Sequence, residues 1–85
     1  MSSHRIRYEG PSSLALATAT LVADAGGVDL TSSDAPVRSD GARRAIGPMD
    51  TVVLMFTVDG TDEAVQSAVG RLRAGLPSGA RLDLD

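Results

Sequence analysis

The sequence predicts one α+β domain in two layers, a β-sheet covered by helices, and three observations lead there. The run Thr51-Val-Val-Leu-Met-Phe-Thr-Val58 carries no charge, Gly or Pro and lies between Asp50 and Asp59-Gly60. That is the pattern of a central strand, buried on most of both faces. Residues 5–9 and 80–84 alternate polar with apolar, as half-buried strands do. Two stretches of helical length, 14–25 and 62–76, separate these segments; Gly26-Gly27 closes the first, and Gly75, Pro77 and Gly79 close the second.

Residues 1–4 are short and polar and are expected to be disordered. In Arg5-Ile-Arg-Tyr-Glu9, Ile6 and Tyr8 share one face while Arg5, Arg7 and Glu9 share the other. Gly10-Pro11 ends that strand, and Ser12 or Ser13 is expected to cap the following helix by accepting an early backbone N–H. Leu14, Ala17, Leu21 and Ala25 lie close to a helical stripe, broadened by Leu16, Val22 and Ala23. Gly26-Gly27 supplies the stop. Val28-Asp-Leu-Thr31 reads as a short strand. Residues 32–48 hold two prolines and two glycines with almost no apolar period, and they are expected to form a long loop. A strand extension past Ser33, or a helical turn near Ala42–Ala45, would shorten it. After the central strand, Thr61 is a good N-cap, with Asp62 and Glu63 favoured by the helix dipole. Val65, Ala68, Val69, Leu72 and Leu76 then follow helical spacing. Ala80-Arg-Leu-Asp-Leu84 closes the chain with Leu82 and Leu84 inward.

The element order is β-α-β-β-α-β. Sequential pairing and right-handed crossovers favour a ferredoxin-like two-layer sandwich. It would have a four-stranded antiparallel sheet, two helices on one face, and the first and third strands in the middle.

Eighty-five residues make one domain, 1–85, whose core is thin because a chain this small buries only roughly 60–65% of its unfolded surface. The core must be aliphatic, since the chain has one Tyr, one Phe and no Trp. Without Cys it has no disulfide and no thiolate chemistry. A protein partner or a second copy is therefore favoured. The net charge of −3, and basic residues scattered apart from Arg43-Arg44, argue against nucleic-acid binding. No apolar leader region follows the N-terminus, and no window approaches the ~18 apolar residues of a membrane span. The expected location is the cytoplasm, with no membrane partner.

Chemical motifs are sparse, and no catalytic residue, metal or cofactor is expected. Val58-Asp-Gly-Thr-Asp62 is similar to the first motif of haloacid-dehalogenase phosphatases. The nucleophilic carboxylate of that motif would fall at Thr57, so Asp59-Gly60-Thr61 reads as a turn and helix cap. His4 is the only histidine and lacks companion ligands. Ser12-Ser13 and Ser32-Ser33 have no nucleophile-elbow context. Gly26-Gly27 ends a helix, where a phosphate cradle would begin one.

The central strand carries the functional reading. Two helices cover only one face of such a sheet, and the more apolar set Val52, Leu54, Phe56 and Val58 should meet them. Val53, Met55 and Thr57 are left on the open face beside Arg5, Arg7 and Glu9, with Asp29, Thr31, Arg81 and Asp83 further out. A small apolar centre rimmed by charge is the anatomy of an interaction surface. Arg38, Arg43 and Arg44 in the long loop are candidate contacts for an anion or an acidic partner.

The whole chain resembles the small actinobacterial proteins called effector-associated constant component (EACC1-type). Arg-Ile-Arg-Tyr-Glu9, Ile46-Gly47-Pro48-Met49-Asp50, the apolar strand, Asp59-Gly60, the helix from Ala64 to Leu76 and the last strand carry this resemblance. It implies a non-enzymatic accessory protein whose partner holds the chemistry, and it transfers no catalytic residue. The expected function is thus a non-catalytic adaptor acting through the open sheet face and the 32–48 loop. The alternatives are an ACT-like domain sensing a small anionic metabolite near the loop arginines, and a dimeric-barrel enzyme using the sheet face as a pocket floor.

Overall fold

The structure, a computed structural model, describes residues 2–84. It is an α+β fold: β1 (Ser2–Pro11), a single 3-10 turn (Ser12–Leu14), α1 (Ala15–Gly26), β2 (Asp29–Ser33), β3 (Val37–Arg38), β4 (Thr51–Gly60), α2 (Asp62–Gly75) and β5 (Arg81–Leu84). All strand pairs are antiparallel, in the order β2–β4–β1–β5, with β3 also on β4. The apolar run forms β4, in the interior of the sheet.

β4 alternates as its sequence dictates. Val52, Leu54, Phe56 and Val58 are at most 1% exposed and share one core with Ile6, Tyr8 and Leu82 of the neighbouring strands. Both helices join that core and pack against each other. Thr61 caps α2, its Oγ1 accepting the Ala64 N–H at 3.1 Å, and Val65, Ala68 and Val69 face inward. Tyr8 is fully buried and donates its hydroxyl to the Pro11 carbonyl at 2.8 Å; burial raises its pKa. A Cβ at Gly10 would stand 2.8 Å from that hydroxyl. Gly60 is equally constrained, because a Cβ there would meet Val28 Cγ1 at 2.5 Å. Neither close approach is visible in a hydropathy pattern.

Four expectations are corrected. First, Ser2, Ser3 and His4 are not disordered: they pair with Gly60, Asp59 and Val58, and His4 Nε2 lies 3.0 Å from Asp62 Oδ1. Met1 lies outside the described residues.

Second, Ser12 and Ser13 do not cap α1. The residue at the cap position is Leu14, without a side-chain bond, while Ser12 Oγ donates to the Gly47 carbonyl at 2.6 Å. The stop is where glycine was expected, with Gly27 at φ 62° in the left-handed region.

Third, α1 turns a different face inward. Ala15, Thr18, Ala19 and Val22 are buried, whereas Leu21 is 51% and Leu16 66% exposed, and Ala17 is exposed too. Small side chains let the helix lie close to its neighbours, and the larger leucines point away. Ala25 lies outside the described side chains.

Fourth, the sheet has five strands, and residues 32–48 are not one long loop. β2 and β3 pair in succession along the same edge of β4, Asp29 opposite Asp59 through Arg38 opposite Val52. A register shift between Leu30 and Ser32 and the segment Asp34-Ala35-Pro36 interrupt this edge. Pro36 has no N–H to give to a ladder. The Asp34 N–H still reaches the Met55 carbonyl at 2.9 Å, so the edge stays docked. No helical turn forms at Ala42–Ala45. Among the described residues, no helix is long and apolar enough to cross a membrane.

Candidate interaction surface

Successive residues of a strand point to opposite sides of a sheet, so the set that alternates with the core forms a second surface. The register places Val53 beside Glu9, Met55 beside Arg7 and Thr57 beside Arg5. On the far side of β1, Glu9 pairs with Arg81 and Arg7 with Asp83. Val37 adds an apolar residue, 58% exposed, next to Val53. Val53, Met55 and Thr57 are half-buried by their neighbours alone, with no helix over them. All five predicted surface residues thus meet on one side of the sheet.

Charges tile the rest of this face. Arg7 donates to Glu9 Oε1 at 3.0 Å, and Arg5 to Asp34 Oδ2 at 3.1 Å. Asp83 receives Arg73 Nη2 at 3.3 Å, and Arg73 Nε donates to the Leu82 carbonyl at 2.9 Å. That second bond covers the outer edge of β5, which would otherwise offer an open backbone ladder to another strand. A shallow depression of about 270 Å³, lined by Arg73, Ala80, Arg81, Leu82 and Asp83, lies at this same edge. It falls just under the ~300 Å³ at which small-molecule sites begin.

The three loop arginines separate into two kinds. Arg38, at the end of β3, has a side chain only 11% exposed. It donates to Asp50 Oδ2 at 2.6 Å, to both Asp40 carboxylate oxygens, at 3.3 and 3.4 Å, and to the Ala45 carbonyl. It is consumed by the loop itself and so does not present its guanidinium to an anion, contrary to the expectation. Arg43 and Arg44 are exposed. Asp50 also accepts the Gly47 N–H at 2.8 Å, and Asp40 the Ala42 N–H at 2.9 Å. Residues 39–50 are therefore a turn folded around one arginine and two carboxylates. Sequence reasoning missed this staple because its partners stand up to 12 residues apart with no local pattern.

These bonds hold both acids in their charged form. The Gly47 N–H first, then Arg38, lowers the Asp50 pKa, and the Ala42 N–H, then Arg38, lowers that of Asp40. A depressed folded value means that the staple is fully formed above the unfolded carboxylate value of ~3.9 and is lost as pH falls through the lowered values. In a pH titration followed by NMR, the Gly47 and Ala42 amide shifts are expected to stay flat from neutral pH to about 4 and to move below it. In Arg38→Ala the same transitions should rise toward the ordinary carboxylate value. Midpoints unchanged by the substitution would contradict the staple.

Among the described residues, no group of three His, Asp or Glu is placed to hold a metal ion. No protein-family model matches the chain, and a search of curated proteins gives no match.

Proposed function

We propose that this chain is a non-catalytic accessory domain that works by presenting its open sheet face to a protein partner. The edge and turn from residue 32 to 48 flank the contact. The observation that carries this reading is the half-buried Val53–Met55 centre of an uncovered sheet, ringed by Arg5, Arg7, Glu9, Arg81 and Asp83. Such a centre is costly to leave in water and gains most when a flat apolar partner dries it. In architecture the domain is proposed to be ferredoxin-like, with β2 and β3 counting as one interrupted strand beside β4. The resemblance to EACC1-type proteins favours the same accessory role, in the cytoplasm and without chemistry of its own.

A photo-crosslinking residue at position 55 tests this in cells that make the protein, with position 66 on the exposed side of α2 as the control. Adducts to a defined protein, or to a second copy, are expected at 55 and not at 66. Adducts at 66 with none at 55 would contradict the reading. Met55→Asp is expected to weaken the contact at least ~10-fold, since it puts a charge at the centre of the patch. Its folding stability, read from a circular-dichroism melt, should fall by no more than about 1 kcal/mol, because the site is open to water. Wholesale unfolding would mean that the two faces of β4 are reversed.

A further inference from the structure

The open face is complementary to itself, and the register shows how. Across the sheet, Val53, Glu9 and Arg81 form one row, and Met55, Arg7 and Asp83 form the next. Consider a two-fold axis lying against the face, perpendicular to the strands, midway between these rows. A rotation about it brings each row of one copy onto the other row of a second copy. Val53 then meets Met55, Glu9 meets Arg7, and Arg81 meets Asp83, each twice. Placing the axis one row further along β1 would set Arg7 against Arg7 or Arg5, so among axes perpendicular to the strands this register alone pairs the charges. A two-fold axis along the strands between β1 and β4 pairs Arg7 with Met55 and Glu9 with Val53, and it leaves both charges unmatched; one between β1 and β5 pairs Arg7 with Asp83 and Glu9 with Arg81, but it carries β4 past the sheet edge and leaves Val53 and Met55 uncovered.

From this we infer that the occupant of the face is a second copy of the chain, stacked face to face about that axis. The inference rests on the proposed role of the sheet face and adds its partner and register. Sheets packed face to face in this way keep their strands within about 30° of each other, and an isologous contact must match a patch to itself. With the axis near position 8 of β1, the overlap is about seven residues (~24 Å) long and four strands (~19 Å) wide. That is a flat footprint of ~450 Å² per copy, ~900 Å² in all, which belongs with weak, concentration-dependent contacts.

Sedimentation equilibrium over roughly 10–500 µM tests this, that range spanning the affinity expected of so small an interface. Wild-type protein should pass from monomer to dimer within it. Arg7→Glu sets Glu against Glu twice, and Glu9→Arg sets Arg against Arg twice, so each alone should dimerise about tenfold more weakly or worse. Mixed in equal amounts, the two variants should recover a heterodimer, because every facing pair is then opposite in charge. The Arg7–Glu9 bond within each chain remains broken in that mixture, so recovery reports only the contact between copies. Arg81→Asp and Asp83→Arg, on exposed positions of β5, carry the same mixing test should either β1 variant fail to fold. Leu16→Asp, on the exposed side of α1, should leave the dimer unchanged.

A wild-type monomer throughout that range, a dimer indifferent to the reversals, or a mixture that fails to recover would each overturn the inference. If the purified protein is monomeric while position 55 crosslinks to a different protein, the second copy is excluded and the accessory role stands. If the dimer yields to Leu16→Asp and not to Arg7→Glu, and position 55 gives no adduct, both fall.

Discussion

Val69→Asp is expected to leave the protein unfolded at 25 °C and neutral pH. Val69 is 2% exposed on the inward side of α2, in the single apolar core that joins both helices to the sheet. A carboxylate there must be buried without a partner or neutralised, and either costs several kcal/mol beyond the lost Val packing. A domain of this size has only ~4–13 kcal/mol of stability to lose. The result is read as loss of far-ultraviolet ellipticity and collapse of amide shift dispersion. Gln66→Asp, on the exposed side of the same helix, should change stability by no more than ~0.5 kcal/mol. A folded Val69→Asp protein would show that α2 does not pack as described.

Phe56→Ala comes next in size. Phe56 is the only phenylalanine, 1% exposed, in the middle of β4. Truncating it removes transfer free energy and opens a cavity, together ~3–5 kcal/mol. In a domain of this length each kcal/mol lowers the melting temperature by ~4–8 °C. Met55→Ala, one residue away on the opposite side of the strand, should cost about 1 kcal/mol or less, because half-buried apolar area gives up less on removal. Chemical denaturation of the two variants side by side checks the contrast. Equal costs would contradict the division of β4 into a core face and an open face.

That division was legible in the sequence because alternation and capping are local. β4 and α2 carry an apolar period, flanking turn residues and a capping threonine, and their buried sets emerge as spaced. α1 was legible as a helix but not in its orientation. Ala15-Leu-Ala-Thr-Ala-Thr-Leu-Val22 has no charge to mark the solvent side, so any stripe fits it, and close packing selected the alanines. The edge formed by β2 and β3 was hidden for a different reason. Its start, Val28 to Thr31, reads as a strand in the sequence, but all five residues of β2 are exposed, so beyond Thr31 backbone pairing with β4 holds the edge and no side-chain period marks it. Ser2–His4 was hidden as well, since three polar residues carry no apolar period. Of the site, the five sheet-face residues were recoverable from alternation alone. The ion pairs of Arg38 are not legible in the sequence, since only folding brings Asp50 within 2.6 Å of it.

Everything rests on β4 having neighbours on both sides, one face roofed and the other bare. Residue-resolved amide hydrogen exchange of the unmodified protein at neutral pH tests this most directly. Amides of Leu54, Phe56 and Val58 point toward β1, and those of Val53 and Thr57 toward β2 and β3. Strong protection of both groups is the expected result. Protection of Leu54, Phe56 and Val58 alone, with Val53 and Thr57 exchanging as in an unstructured peptide, would place β4 at the rim of the sheet and contradict the account.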